Sequence, residues 1–126
     1  MNVLQIIETA YRCNVEEQDD PAIWITHAMK GAGASLNVLL QGNAVNYAVK
    51  QQRARALSIG GKAQSQAPDI ARDVQTLMEK GIEVYLVADD AAERGIESTE
   101  LLAGVKAIAR RDLPALIDRH DQVWMW

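Results

Sequence analysis

Two adjacent carboxylates, Asp89 and Asp90, follow an apolar run, Val84-Tyr85-Leu86-Val87. Such a pair can act as a general base or a cation site, or it can cap a helical turn and stay solvated. Arg94, four residues on, is a candidate anion binder, with a solvated or subunit-bridging role as the plain alternative. Cys13 is the single cysteine. A thiolate is the nucleophilic form of that side chain and the form that can accept sulfur. Arg12 beside it favours the thiolate, while Glu16 and Glu17 oppose it. An incidental loop cysteine is the plain reading. His27 lies beside an apolar helix stripe and reads as structural. His120 falls near a helix end. Neither histidine has a cysteine or second histidine at metal-ligand spacing, so no metal site and no cofactor are expected.

The elements that must position these groups follow from periodicity. Asn2 to Glu8 is a short aliphatic strand. A polar connection carries Thr9 and Cys13 to Asp20-Pro21, an acid followed by proline, which starts a helix. Ile23, Trp24, Ile25, Ala28 and Met29 give that helix a broad apolar stripe, and Gly31 and Gly33 end it. Ser35 to Leu40 is the second strand. A turn through Gly42, Asn43, Ala44 and Val45 leads to a helix expected from Asn46 to Leu57, followed by a loop from Ser58 to Ala67. Pro68-Asp69 opens a helix from Ile70 to Lys80. The run from Glu83 to Val87 is apolar without alternation, the pattern of a strand buried on both faces. Val105 to Ala109 is a fourth strand, Asp112-Leu113-Pro114 starts a last helix to about Arg119, and Gln122 to Trp126 is a terminal strand at a sheet edge.

This alternation implies an α/β fold, a three-layer α/β/α sandwich on a five-stranded parallel sheet, with the flavodoxin-like order 2-1-3-4-5. Parallel strands open their sites at their carboxyl ends. Thr9, Cys13, Gly42, Asn43, Val87, Ala88, Asp89, Asp90 and Arg94 are therefore expected around one depression. Gly31-x-Gly33 precedes a strand and is no dinucleotide fingerprint. Gly60-Gly61-Lys62 follows no strand and is no phosphate loop.

The chain has 126 residues and is read as one domain, 1–126. Its net charge of −4, with both signs interspersed, argues against a nucleic-acid or anionic-membrane surface. No apolar run approaches the roughly 18 to 20 residues of a membrane span. No basic leader precedes the first strand, and a lone cysteine suits a reducing compartment, so a cytoplasmic location is expected. The ending Val123-Trp124-Met125-Trp126 and the helix around Trp24 carry more apolar surface than one core needs. A homo-oligomer, a trimer or a dimer, is expected.

Val84-Tyr85 followed by Glu93-Arg94-Gly95-Ile96 resembles the DsrE/DsrF/DsrH group of sulfur-relay proteins, which includes the TusBCD subunits. Leu116-Ile117-Asp118-Arg119-His120 and the terminal Trp126 resemble the DsrH/TusB-type ending. The resemblance implies the same fold, oligomeric assembly and sulfur-relay partners. It also implies that the persulfide-bearing cysteine of such relatives, eight residues before the glycine of R-G-[ILV], falls at Val87, where no thiol stands. Three readings remain open. One is a subunit or partner in a sulfur-transfer complex that stores no sulfur itself. Another is a sulfurtransferase or persulfide carrier using Cys13. The third is a small-molecule binding module unrelated to sulfur.

Overall fold

The computed structural model describes residues 1–12 and 14–126. Its strands are β1 (Asn2–Ile7), β2 (Ser35–Leu40), β3 (Ser58–Ile59), β4 (Lys62–Ala63), β5 (Val84–Val87), β6 (Lys106–Ile108) and β7 (Gln122–Met125). Five of them form a parallel sheet in the order β6-β5-β2-β1-β7, and β3 and β4 pair separately as a small antiparallel hairpin. The helices are α1 (Asn14–Glu17), α2 (Pro21–Gly31), α3 (Ile70–Glu79), α4 (Ala88–Glu93) and α5 (Leu113–Ile117).

The central strands β1, β2 and β5 are largely buried on both faces, as apolar strands inside a parallel sheet are. Val3 and Ile7 point to one face, where α2, α3 and the 3₁₀ turn Gly42–Ala48 cover them through Ile23, Val74, Leu77 and Val45. Leu4 and Ile6 point to the other, where Leu39, Tyr85 and Val87 meet Leu116 of α5. Local chemistry sets the helix starts. Asp20 accepts hydrogen bonds from the Ala22 and Ile23 N–H groups at 2.8 and 3.2 Å, ahead of Pro21 at the first helical position. Asp69 caps α3 in the same way through the Arg72 N–H.

Three expectations are corrected. In sequence order the sheet strands run 4-3-2-1-5, not the flavodoxin-like 2-1-3-4-5. The terminal strand takes the free side of β1: Trp126 donates its N–H to the Ile6 carbonyl at 2.9 Å and accepts from the Glu8 N–H at 3.0 Å. β5 is left to pair with β2. The helix expected from Asn46 to Leu57 is instead the short 3₁₀ turn Gly42–Ala48 followed by a turn and irregular chain. Gln52 Nε2 donates to the Tyr47 and Val49 carbonyls at 2.9 and 3.1 Å, taking acceptors that a helix needs. The Ala48 carbonyl goes to the Leu102 N–H and the Lys50 N–H to the Glu100 carbonyl. The expected loop after Leu57 contains the hairpin. In α2, Ala22, Ile23 and Thr26 are the buried residues, and Trp24 stands 57% exposed.

Candidate functional site

α4 begins directly where β5 ends, so Asp89 and Asp90 project from the carboxyl edge of the sheet. Asp90 is buried and accepts a hydrogen bond from the Gly42 N–H at 2.7 Å. Its other oxygen forms an ion pair with the Arg110 guanidinium, which also reaches Glu93 at 3.3 Å. Asp89 is exposed and accepts from the Arg110 N–H at 2.7 Å, which holds its carboxyl below the usual range. Arg94 donates to Asn43 Oδ1 from Nε and Nη2 at 3.1 and 3.0 Å, and to the Asp90 carbonyl from Nη1 at 3.1 Å. Gly42 has φ +54, and a Cβ there would come within 3.2 Å of Glu8 Cγ, so glycine suits this crossing.

The structure thus brings together Gly42, Asn43, Asp89, Asp90 and Arg94, with Val87 and Ala88 beneath them. Arg110 completes the set. Its signal in the sequence was the dibasic Arg110-Arg111 just after the fourth sheet strand, at the same sheet end as Asp89. The carboxylates and guanidiniums are matched to one another and to backbone groups. Chemically this is a brace across the ends of β2, β5 and β6, with both oxygens of Asp90 engaged. Val87 is 1% exposed and packs with Leu4 and Leu116. Thr9 is exposed, its N–H 3.5 Å from the Trp126 carbonyl, and the carbonyl of its neighbour Glu8 accepts from the Ala44 N–H at 3.2 Å beside the Gly42 turn. Cys13 lies outside the described residues.

A second polar cluster sits at the same end of the sheet, on its helix-covered side. Tyr47, from the turn after β2, is fully buried. Its hydroxyl donates to Asp20 Oδ2 at 2.5 Å and accepts from the Tyr11 N–H at 2.5 Å and from Asn14 Nδ2 at 3.4 Å. Burial and the Asp20 carboxylate push the Tyr47 hydroxyl well above its ordinary range, so it stays protonated as a donor. The Tyr11 and Tyr47 rings meet edge to face, 5.2 Å between centroids. Beside this cluster lies a cavity of about 620 Å³, walled by Tyr11, Asn14, Val15, Pro68, Ile70 and the segment from Gln52 to Leu57. This cavity leaves no signal in the sequence, because the composition of the segment that walls it suits a helix.

The histidines are bonded into the scaffold. His27 Nε2 lies 3.1 Å from the Asp73 carbonyl, and burial holds its pKa below the ordinary value. His120 bridges the Leu116 carbonyl and Asn37 at 2.9 and 3.0 Å. Among the described residues no group of His, Cys, Asp and Glu side chains is arranged to hold a metal ion, and no helix is long and apolar enough to cross a membrane.

Three solved structures share this architecture. The ychN protein from E. coli superposes with a TM-score of 0.73 at 16% identity, over 100% of both chains. MTH1491 from Methanobacterium thermoautotrophicum, a protein of unknown function, gives 0.66 at 12% identity over 98% of this chain and 97% of its own. BT1422 from Bacteroides thetaiotaomicron, also of unknown function, gives 0.66 at 15% identity over 98% and 94%. At such identities the likeness shows the fold alone. No curated protein matches the sequence. The family model of the DsrE/DsrF-like proteins matches residues 12–124, nearly the whole length, and the chain belongs to that family.

Proposed function

We propose that this protein is a subunit or binding partner in a sulfur-transfer complex that stores no sulfur itself at the end of β5. Membership in the DsrE/DsrF-like family supports the sulfur-relay setting. The observation that carries the reading is Val87. It occupies the place the resemblance gives to an acceptor cysteine, and it is aliphatic and closed off in the core. Persulfide storage needs a thiolate with access to a donor, and position 87 offers neither. The paired Asp89, Asp90 and Arg110 then brace the surface. The DsrH/TusB type, suggested by His120 and the terminal tryptophan, is the subtype this reading favours, with the whole chain acting as one unit in the cytoplasm.

The protein is further proposed to assemble with itself, as a trimer or dimer, before it meets a cysteine-bearing relay protein. Trp24 is exposed on α2, and β7 leaves Met125 59% exposed with Val123 beside it in the strand, while Trp124 packs against the core. Apolar groups of this size in solvent mark interfaces. Light scattering at micromolar concentration tests this, with a multiple of the 13.9 kDa chain mass expected and a monomer mass contradicting it. Co-purification from the native host tests the complex. A cysteine-bearing relay subunit in stoichiometric amount supports it, and a chain that purifies alone contradicts it.

One observation favours a second reading, in which Cys13 carries the sulfur. Its neighbours Tyr11 and Asn14 both wall the 620 Å³ cavity. On this reading a desulfurase would load Cys13, and Cys13→Ser would abolish loading without unfolding the chain.

A further inference from the structure

We infer that the cavity beside Tyr47 is a binding site for a small amphipathic organic anion: an apolar, ring-sized body carrying an N–H or O–H donor and one acidic group. The site is separate from the braced carboxylates and does not rest on the sulfur-relay reading.

Four observations point to that ligand. The volume, about 620 Å³, lies within the range of small-molecule sites. The wall is built from Val15, Leu57, Pro68, Ile70 and the ring of Tyr11, which suits a flat apolar body. The lining residues include two exposed arginines, Arg53 and Arg55, and, among the described residues, no Asp or Glu, in a chain whose net charge is −4. Neither arginine forms a salt bridge among the described residues, whereas Arg110 on the brace has two. An acidic group on the ligand completes them.

The fourth observation is Asn14. It is 4% exposed and lines the cavity, and its Oδ1 is buried with no hydrogen-bond partner among the described residues. Buried side-chain acceptors are normally paired; this one is closed over in the structure, and a ligand donor reaching past the cavity wall would satisfy it. Its Nδ2 is held by the Tyr47 hydroxyl, itself fixed by Asp20, so the carboxamide is anchored on a rigid base. Donor contact at Asn14 and acid contact at the arginines give the ligand two fixed ends across an apolar slot.

The probe for this site is 8-anilinonaphthalene-1-sulfonate, which has two aromatic groups, one N–H and one sulfonate. N-phenyl-1-naphthylamine is the same body without the acid. With the full chain, the anionic probe is expected to bind saturably at one site per chain, and to shift the Asn14 side-chain amide signals in a nitrogen-proton NMR spectrum. The Arg53→Ala, Arg55→Ala double variant is expected to weaken the anionic probe about tenfold and leave the neutral one within about twofold. Ala56→Trp, at an exposed position on the lining, fills the cavity without touching the core and is expected to abolish binding of both. Circular dichroism confirms that each variant is folded. Unsaturable binding, unchanged Asn14 signals, or equal binding by Ala56→Trp and the parent chain overturns the assignment. Equal weakening of both probes in the arginine variant overturns its anionic part.

Discussion

The two polar clusters near the carboxyl end of the sheet differ in one respect. At the β5 end, Asp90 has the Gly42 N–H on one oxygen and Arg110 on the other, Arg94 is held by Asn43, and Arg110 spans Asp90 and Glu93. Beside Tyr47, the carboxamide of Asn14 keeps a buried unpaired oxygen, and the two arginines along the neighbouring cavity, Arg53 and Arg55, form no salt bridge among the described residues. Adjacent acids drew attention first because their types can do chemistry. The contrast teaches that residue type is a weaker guide than satisfaction. Polar groups that close on one another hold a fold together, and groups with capacity left over are where a ligand has something to gain.

The largest effect expected from this contrast is at Asp90. Asp90→Ala strands the Gly42 N–H and removes the main partner of Arg110, and should cost about 3 kcal/mol in denaturant-measured stability. Asp89→Ala, at the exposed neighbour, should leave the denaturant midpoint close to that of the parent chain. Equal effects at the two positions would break the distinction between brace and surface. Tyr47→Phe comes next. It removes the hydroxyl that serves Asp20, Asn14 and the Tyr11 N–H, with a cost of about 1–2 kcal/mol expected in the same assay.

A smaller effect, of opposite sign, is expected at Asp73 on α3. Burial, then the charges of Asp19 and Asp69, raise its pKa to about 6. The folded state therefore binds a proton more readily than the unfolded chain, and stability falls as pH rises from about 4 through about 6. Asp73→Asn should stabilise the protein at pH 7.5 by about 1 kcal/mol, after allowance for solvent screening of this partly exposed group, and should have no effect near pH 4. Thermal melts at the two pH values check this; a gain of equal size at both would contradict it.

Much of the fold was legible because parallel strands buried on both faces leave a simple record. The run Val84–Val87 is apolar without alternation, Ser35–Leu40 ends in three consecutive buried aliphatics, and Asp20-Pro21 and Pro68-Asp69 announce helix starts that the side-chain caps confirm. Strand order was not legible, because it turns on which strand claims the free side of β1, and Trp126 settles that through backbone bonds that no side-chain pattern encodes. The segment from Asn46 to Leu57 misled for a related reason. Its composition tolerates helix, but Gln52 and the 98–102 segment capture its carbonyls and amides. The grouping of Gly42, Asn43, Asp89, Asp90 and Arg94 followed from the rule for parallel sheets. That they close on Arg110 did not, since pairing depends on side-chain reach between positions 20 apart in the chain.

Sulfur loading is the property that most directly separates the proposed role from its alternative. The direct measurement is intact-protein mass spectrometry after incubation with a cysteine desulfurase and cysteine, with a cysteine-bearing relay subunit as the positive control. A chain that gains no sulfur while the control is loaded is the predicted result. A one-sulfur adduct on the parent chain, absent from Cys13→Ser, would contradict the account and move the sulfur to Cys13.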